Sequence, residues 1–314
     1  MPYNSIITEA DVAALNTEEV QRTFLKDIPD QSAALRAFTR IPAGKGTVRL
    51  PVLSALPTAY WVDGPTGLKQ TTKAAWADKS ININELAALV PVPDATIEDA
   101  DFDILAAVRP LVASAAGRLI DLAVFFGNGE PTGWTGPATG VVGHATAAGH
   151  TRARGTATAA QGGMAQDLNA VLSFIEEDGY DPSAIVANRG VRGLLRGARD
   201  TTGQKLLDVT NDSVEGIPIL FAMPGLWGTT TGSAELIALD GTQGAMAVRR
   251  DLTFEVDNTA VINDQAGAIV YNAFQQDLTI LRVTMRVGFV VANTLTLENS
   301  VDATRSPFAV LTRP

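Results

Sequence analysis

Residues 279–291 alternate one by one. The odd positions read Thr279, Leu281, Val283, Met285, Val287, Phe289 and Val291, and the even ones include Arg282, Thr284, Arg286 and Gly288. A period of two is the signature of a strand. Thirteen such residues would run about 43 Å, against a usual strand of five or six residues. A face that is apolar opposite a face that is polar predicts a half-buried strand in an antiparallel sheet.

A second long element sits at 98–127. Leu105, Val108, Val112, Ala115, Leu119, Leu122 and Phe126 recur at spacings of three and four, which predicts one continuous apolar helix face. Glu98, Asp99, Asp101 and Asp103 crowd its start, where carboxylates cap free N–H groups and suit the positive end of the dipole. Gly127 is a fitting stop, and Pro110 should bend the helix. About 25 residues give roughly 37 Å of helix. A helix and a strand of that length together predict an elongated α+β scaffold.

The other segments are read against these two. Residues 1–45 are expected to be a peripheral arm, with Val12, Leu15, Val20 and Phe24 loosely helical and a short helical piece at 32–38. Residues 46–93 read as a long hairpin: alternation at 47–53, a second strand at 59–62, a turn cluster at Asp63-Gly64-Pro65-Thr66-Gly67, and a strand-like return at 79–92. Trp61 and Trp76 flank its polar tip and are expected to pack on something outside the hairpin. Residues 127–163 hold ten glycines and read as a loop. An α/β segment follows, with helices marked by Leu168, Val171, Leu172 and Ile175 and by Val191, Leu194 and Leu195, and strands at 184–187, 216–222, 235–239 and 245–248.

Composition narrows the chemistry. Of 314 residues, 18% are charged, below the roughly 25% of an average soluble chain, so part of the surface needs another cover. The net charge of −10 argues against a binder of duplex DNA or of anionic membranes. Residues 128–260 hold 15 acidic and 9 basic residues, a net of −6, so most of that charge lies there. The absence of cysteine excludes disulfides, thiolate metal sites and a cysteine nucleophile. No apolar run reaches the roughly 20 residues of a membrane span, and the first residues lack the pattern of a secretory signal.

Catalytic constellations fail one by one. Gly44-Lys45-Gly46-Thr47 lacks the glycine a phosphate loop needs at position 39, which is Thr39. Asp99, Asp101 and Asp103 read as caps rather than as a cation site. His144 and His150 have no carboxylate close in sequence to complete a metal shell. Arg189, Arg192, Arg196 and Arg199 could meet a phosphate, but Glu176, Glu177, Asp178, Asp181 and Asp200 nearby point to local or intersubunit ion pairs. No cofactor and no enzymatic activity are expected.

The order of parts carries a resemblance. Residues 32–35 with Arg49-Leu50-Pro51-Val52-Leu53, then Trp76 with Leu86-Ala87-Ala88-Leu89-Val90-Pro91-Val92, stand before Glu98-Asp99-Ala100-Asp101-Phe102-Asp103-Ile104. Residues 121–129, ending Phe125-Phe126-Gly127-Asn128-Gly129, precede the run 182–188, Arg199-Asp200 with Gly203, and Gly216-Ile217-Pro218-Ile219. Leu281-Arg282 through Arg286-Val287-Gly288-Phe289 close the series. Over about residues 31–300 this resembles the major capsid proteins of tailed bacteriophages, with the Hong Kong 97-type fold.

The resemblance implies a spine helix, an extended loop and peripheral and axial domains. It implies an arm at 1–45, the loop at 46–93, peripheral residues at 94–129, an axial domain at 130–262, and a return strand with a C-terminal tail at 263–314. It further implies pentamers and hexamers of an icosahedral head around double-stranded DNA; an encapsulin-like nanocompartment shell around a protein cargo is the alternative. Trp61, Lys69, Lys73, Trp76, Arg189, Arg192, Arg196 and Arg199 are the expected subunit contacts. The expected partners are further copies of the chain, a separate scaffolding protein, a portal, decoration proteins and loosely held DNA, with assembly in the host cytoplasm and no membrane. Some relatives cross-link a loop lysine to an asparagine through a glutamate. Lys69, Lys73 and Lys79 lie in the loop, but neither the asparagine nor the glutamate has a match, so no cross-link is expected.

Overall fold

The computed structural model describes residues 32–62, 69, 71–100, 103–134, 140–199, 204 and 212–314. The helical reading of Val12 to Phe24, the turn cluster at 63–67, Asp101 and Asp200 lie outside the described residues. The chain divides into two compact units. One holds Asn84–Gly117 and Arg250–Val287; the other holds Arg118–Arg249, Gly288–Pro314 and the described residues up to Ile83.

In the first unit, β4 (Asn84–Pro93) runs antiparallel to the first ten residues of β13 (Leu278–Val291), from Leu278 opposite Pro93 to Val287 opposite Asn84. The long alternating strand is thus present, and its pairing with β4 has the expected sense. It is not one-faced. Thr284 is buried along with Val283 and Met285, because β13 lies between β4 and β10 (Gly244–Asp257) rather than at an edge. Thr284 meets Thr253 of β10 at 3.0 Å between hydroxyls. Exposed Arg282 and half-buried Arg286 interrupt that face, held by Glu255 and Glu85 respectively. A small cluster of Ala273, Leu278 and Ile280 packs on Ile262 and Tyr271, from the short pair β11 (Val261–Asn263) and β12 (Ile269–Asn272).

The second unit is built on a six-stranded sheet in the order β5-β14-β9-β6-β8-β7. Its strands are β5 (Thr151–Ala153), β6 (Ala184–Ala187), β7 (Ser213–Val214), β8 (Ile217–Phe221), β9 (Ala234–Leu239) and β14 (Phe308–Thr312). Residues 308–312 are therefore no tail. They pair antiparallel with β9 and parallel with β5, and Phe308, Ala309, Val310 and Leu311 are wholly buried. Leu168, Val171, Leu172 and Ile175 of α5 (Met164–Glu177) cover one face with Val191 and Leu195 of α6 (Arg189–Arg196), as their spacing predicts. Leu194 turns outward.

Three further expectations change. The return of the hairpin is not one strand: β2 (Thr47–Ala55) pairs with β3 (Ala75–Asn82), and Ile83 then separates β3 from β4, which joins another sheet. Residues 59–62 form no strand. The glycine-rich segment 127–163 is not a loop throughout, since Gly140–Ala148 is helix α4, Thr151–Ala153 is β5 and Ala159–Gln161 is a single 3-10 turn. Val141 and Ala145, one turn apart on α4, are both wholly buried.

The long helix is α3 (Ile104–Phe126), preceded by a separate short helix α2 (Asp94–Glu98). Asp103 caps α3 by accepting from Ala106 N–H at 2.9 Å, and Asp99 ends α2. Pro110 sits within α3. The buried side is not the predicted stripe. Ile104, Ala116, Ile120, Ala123, Val124 and Phe125 are buried, whereas Leu119 is 45% exposed and Leu111 68% exposed. Nearly every position of this helix is apolar, so spacing alone cannot select a face.

The piece at 32–38 is also no mere arm. It forms α1 (Ala33–Ala37), with Ala33, Ala34 and Phe38 buried. Phe38 packs 5.1 Å from Phe289 and 6.0 Å from Phe308, centroid to centroid. β1 (Thr39–Pro42) then runs parallel to β10, from Thr39 opposite Ala245 to Pro42 opposite Val248, so the four-stranded sheet is mixed.

Candidate functional site

The sites the second unit offers are surfaces and buried polar anchors. The hairpin β2–β3 stands on a small core in which Ile81 packs with Val48, Leu50, Ile41, Ala245 and Val290. Beyond Ala55 and Ala75 the strands end, and Thr58 N–H donates to Thr72 Oγ1 at 2.8 Å. Trp61 is 98% exposed and Trp76 68% exposed. The described chain leaves Trp61 bare and covers Trp76 only in part, which is costly for side chains that usually bury most of their area. Lys69 and Lys73 are exposed.

The four arginines of the α/β segment part company. Arg189, Arg192 and Arg196 lie on α6, and Arg199 follows it; all four are exposed. Arg192 finds its partner in Asp212 at 2.6 Å, in contact without hydrogen-bond alignment, and lies 5.5 Å over the ring of Phe221. Asp212 was not among the acids singled out in the sequence, because it comes from the turn before β7.

His144 and His150 fall on α4 and just after it. The fold does bring a carboxylate to His150: its Nε2 lies 3.5 Å from Asp178 Oδ2, and its ring stacks on Phe174 with centroids 5.4 Å apart. Asp178 also accepts from Ser306 N–H at 2.6 Å and Asn299 Nδ2 at 2.7 Å. Among the described residues no group of three or more histidines and acids could hold a metal ion.

Sequence reasoning missed the buried polar anchors. Asp121 on α3 is wholly buried and accepts from Ser32 Oγ at 2.5 Å, Ala33 N–H at 3.1 Å and Ala34 N–H at 2.9 Å. Burial pushes its carboxyl pKa up, against those hydrogen bonds, which lower it. Arg305, 3% exposed, donates to Tyr180 Oη, Asn299 O, Asn293 O and Asp302 Oδ1, each at 3.0 Å. Asp167 accepts from Gly155 N–H, Ala157 N–H and Arg152 Nε. Each joins segments far apart in the chain or tied by backbone groups, so no local motif announces it.

A cavity of about 740 Å³ opens beside these anchors. Trp134, Phe289, Ala123, Ala147 and Ala148 give it apolar walls; Lys79, Glu130, His144 and Asp302 give it charged and polar groups. Lys79 Nζ donates to Val291 O at 3.2 Å, and desolvation lowers its pKa against the pull of Asp302, which raises it. Desolvation, helped by the Lys79 charge, takes the His144 pKa down to about 4. The imidazole is therefore neutral at pH 7.

The comparisons with known proteins agree with one another. The model of the phage capsid family matches residues 14–297. A curated major capsid protein of Staphylococcus phage 80alpha is 24% identical over 242 residues, covering 76% of this chain and 69% of that one. A solved structure from Microbacterium phage Oxtober96 is 34% identical with a TM-score of 0.81, over 99% of this chain and 100% of the other. One from Mycobacterium phage Cain is 28% identical with the same TM-score, over 99% of both chains. The capsid of an empty GTA particle computed with C5 symmetry, at 19% identity and a TM-score of 0.64 over 98% of both chains, shares the fold.

Proposed function

The chain belongs to the phage capsid family and is a phage major capsid protein; from that premise we propose that its copies assemble as pentamers and hexamers of an icosahedral head around double-stranded DNA. The observation that carries the proposal is the match to Oxtober96 over essentially the whole of both chains at 34% identity. A shell subunit needs large surfaces that its own fold leaves uncovered. Trp61 and Trp76 on the hairpin, and Leu111 and Leu119 on the long helix, supply apolar ones. A nanocompartment shell is not favoured, since the curated relative is a phage major capsid protein.

In this reading residues 46–83 reach a neighbouring subunit through Trp61, Lys69, Lys73 and Trp76. The exposed arginines 189, 192, 196 and 199 face other copies around the capsomer centre, within residues 130–262. The shell belongs to the virion, is assembled in the host cytoplasm with a separate scaffolding protein and a portal, and takes no cofactor. The net charge of −10 supports loose contact with the genome, because a wall that gripped phosphates would hold DNA that has to leave.

Electron microscopy of the protein expressed with its assembly partners tests the proposal. Closed icosahedral particles with nuclease-protected DNA are the expected result, and DNA released from them should not rebind the shell protein at 150 mM salt. Particles holding a protein cargo and no nucleic acid would overturn it.

A further inference from the structure

We infer that the cavity walled by Trp134 and Phe289 is the socket for Trp61 of a neighbouring copy of this chain. This rests on the proposed shell assembly and names the acceptor for the hairpin.

The socket and the side chain match in three respects. The first is the floor. Trp134 and Phe289 stand with ring centroids 6.4 Å apart and tilted by 55°, and Ala123, Ala147 and Ala148 add small apolar surfaces. Trp134 and Phe289 show only a small part of each ring to the cavity, so an entering indole would meet their exposed edges together with the alanine surfaces.

The second is the acceptor. The indole carries one N–H, which seeks a partner when buried. Ser306 Oγ gives its single proton to Phe308 O at 3.0 Å and accepts from Phe308 N–H at 3.2 Å. With that proton on Phe308 O, Ser306 Oγ is an acceptor for His144 Nδ1–H, 3.1 Å away, and the inference assigns this tautomer. In it the other ring nitrogen, Nε2, is a lone-pair acceptor. The depressed pKa keeps it unprotonated at pH 7.

The third is the cation. The Lys79 ammonium lines the same cavity and suits the face of an electron-rich ring. Trp134 cannot fill these roles, since its own N–H already donates to Asn82 O at 3.1 Å.

The occupant comes from another copy because Trp61 is 98% exposed in its own chain. A plug on the hairpin and a socket formed by other residues make a head-to-tail contact, the kind that closes into rings of identical subunits.

The chain has no cysteine, so paired cysteines report the contact cleanly. Val62→Cys keeps Trp61 and places a thiol beside it; Ala303→Cys places one at the exposed rim of the cavity. Assembled particles of this double variant, treated with a short bis-maleimide, should give a ladder of covalent oligomers on a denaturing gel, and neither single variant should. Adding Trp61→Ala or His144→Leu should abolish or strongly reduce the ladder. Intact particles of the double variant without a ladder overturn the assignment, as does a ladder that survives Trp61→Ala unchanged. A ladder between Ala303→Cys and Ala14→Cys in place of Val62→Cys puts the N-terminal residues in the socket and also overturns it. Absence of particles from the unmodified chain would instead overturn the shell assembly on which the inference rests.

Discussion

Asp121 caps a helix whose N-cap residue, Ser32, lies 89 residues before it: Ser32 Oγ donates to its carboxylate at 2.5 Å, and Ala33 and Ala34 add their free N–H groups. The first turn of α1 thus finds acceptors on the long helix, and locally the Ser32 hydroxyl accepts from Leu35 N–H at 3.3 Å. Asp121→Asn leaves one acceptor and turns an amide donor toward backbone donors. The expected loss is about 1–3 kcal/mol, read as a lower unfolding midpoint of soluble subunits. The pH dependence has a definite sign. Because burial raises the folded-state pKa, the folded form holds its proton where the unfolded chain has lost it. This group's contribution is full below the unfolded value of 3.8 and falls as pH rises through the higher folded value. Asp121→Asn should remove that slope from the stability profile.

Gly288 lies where the chain passes the base of the hairpin. A Cβ there would stand 2.5 Å from Asn82 O and 2.9 Å from Ile81 Cγ2, both in well-packed surroundings. Gly288→Ala should therefore lower stability by roughly 1–3 kcal/mol, as overpacking does. Gly44→Ala, with nothing within 4 Å of the new Cβ and no left-handed backbone, should be neutral or slightly stabilising. Thermal scans of the two variants side by side check this; equal midpoints would contradict the packing account.

Much of this was open to sequence reasoning wherever the information is local. The strand at 279–291, the face of α5, Val191 and Leu195 of α6, and the strands at 184–187 and 235–239 depend on spacing within one element, and the structure has them, though Thr284 is buried and Leu194 is exposed against that spacing. Failures came where a partner decides. The long helix is apolar on nearly every side, so what selected its buried face was the docking of Asp121 against Ser32 and Ala34, not its own spacing. α4 carries only Val141 and Ala145 as buried positions among glycines and alanines, too weak a stripe to see. Residues 308–312 are five residues at the chain end, and only the neighbouring β9 and β5 make them a central strand. The cavity draws on residues from 79 to 303, so no motif could have assembled it.

Tyr180 links the α/β sheet to the segment after β13: its hydroxyl donates to Thr294 O at 2.6 Å and receives Arg305 Nε at 3.0 Å. Burial is the main cause that lifts its pKa from 10.0 to about 12. The unfolded chain ionises first, so stability should fall as pH rises from about 10 to about 12. Tyr180→Phe should flatten this part of the profile while lowering stability at pH 7, since Arg305 loses an acceptor. An alkaline limb of equal slope in both proteins would show that another group sets it.

Trp76 separates the needs of the subunit from those of the shell. It stands opposite Leu53 in the hairpin register and is 68% exposed, so the fold by itself gains little from it. Trp76→Ser should change the unfolding midpoint of isolated subunits by no more than about 0.5 kcal/mol equivalent, as surface changes do. Large aromatics buried at the centre of an interface can each contribute about 2–4 kcal/mol to association. The same substitution should then raise the concentration needed for assembly by one or two orders of magnitude. Sedimentation of wild-type and variant protein across a concentration series reads the difference directly. A variant that assembles at the wild-type concentration would mean that this indole remains uncovered in the finished shell, and the hairpin's contact would then have to run through Trp61, Lys69 and Lys73.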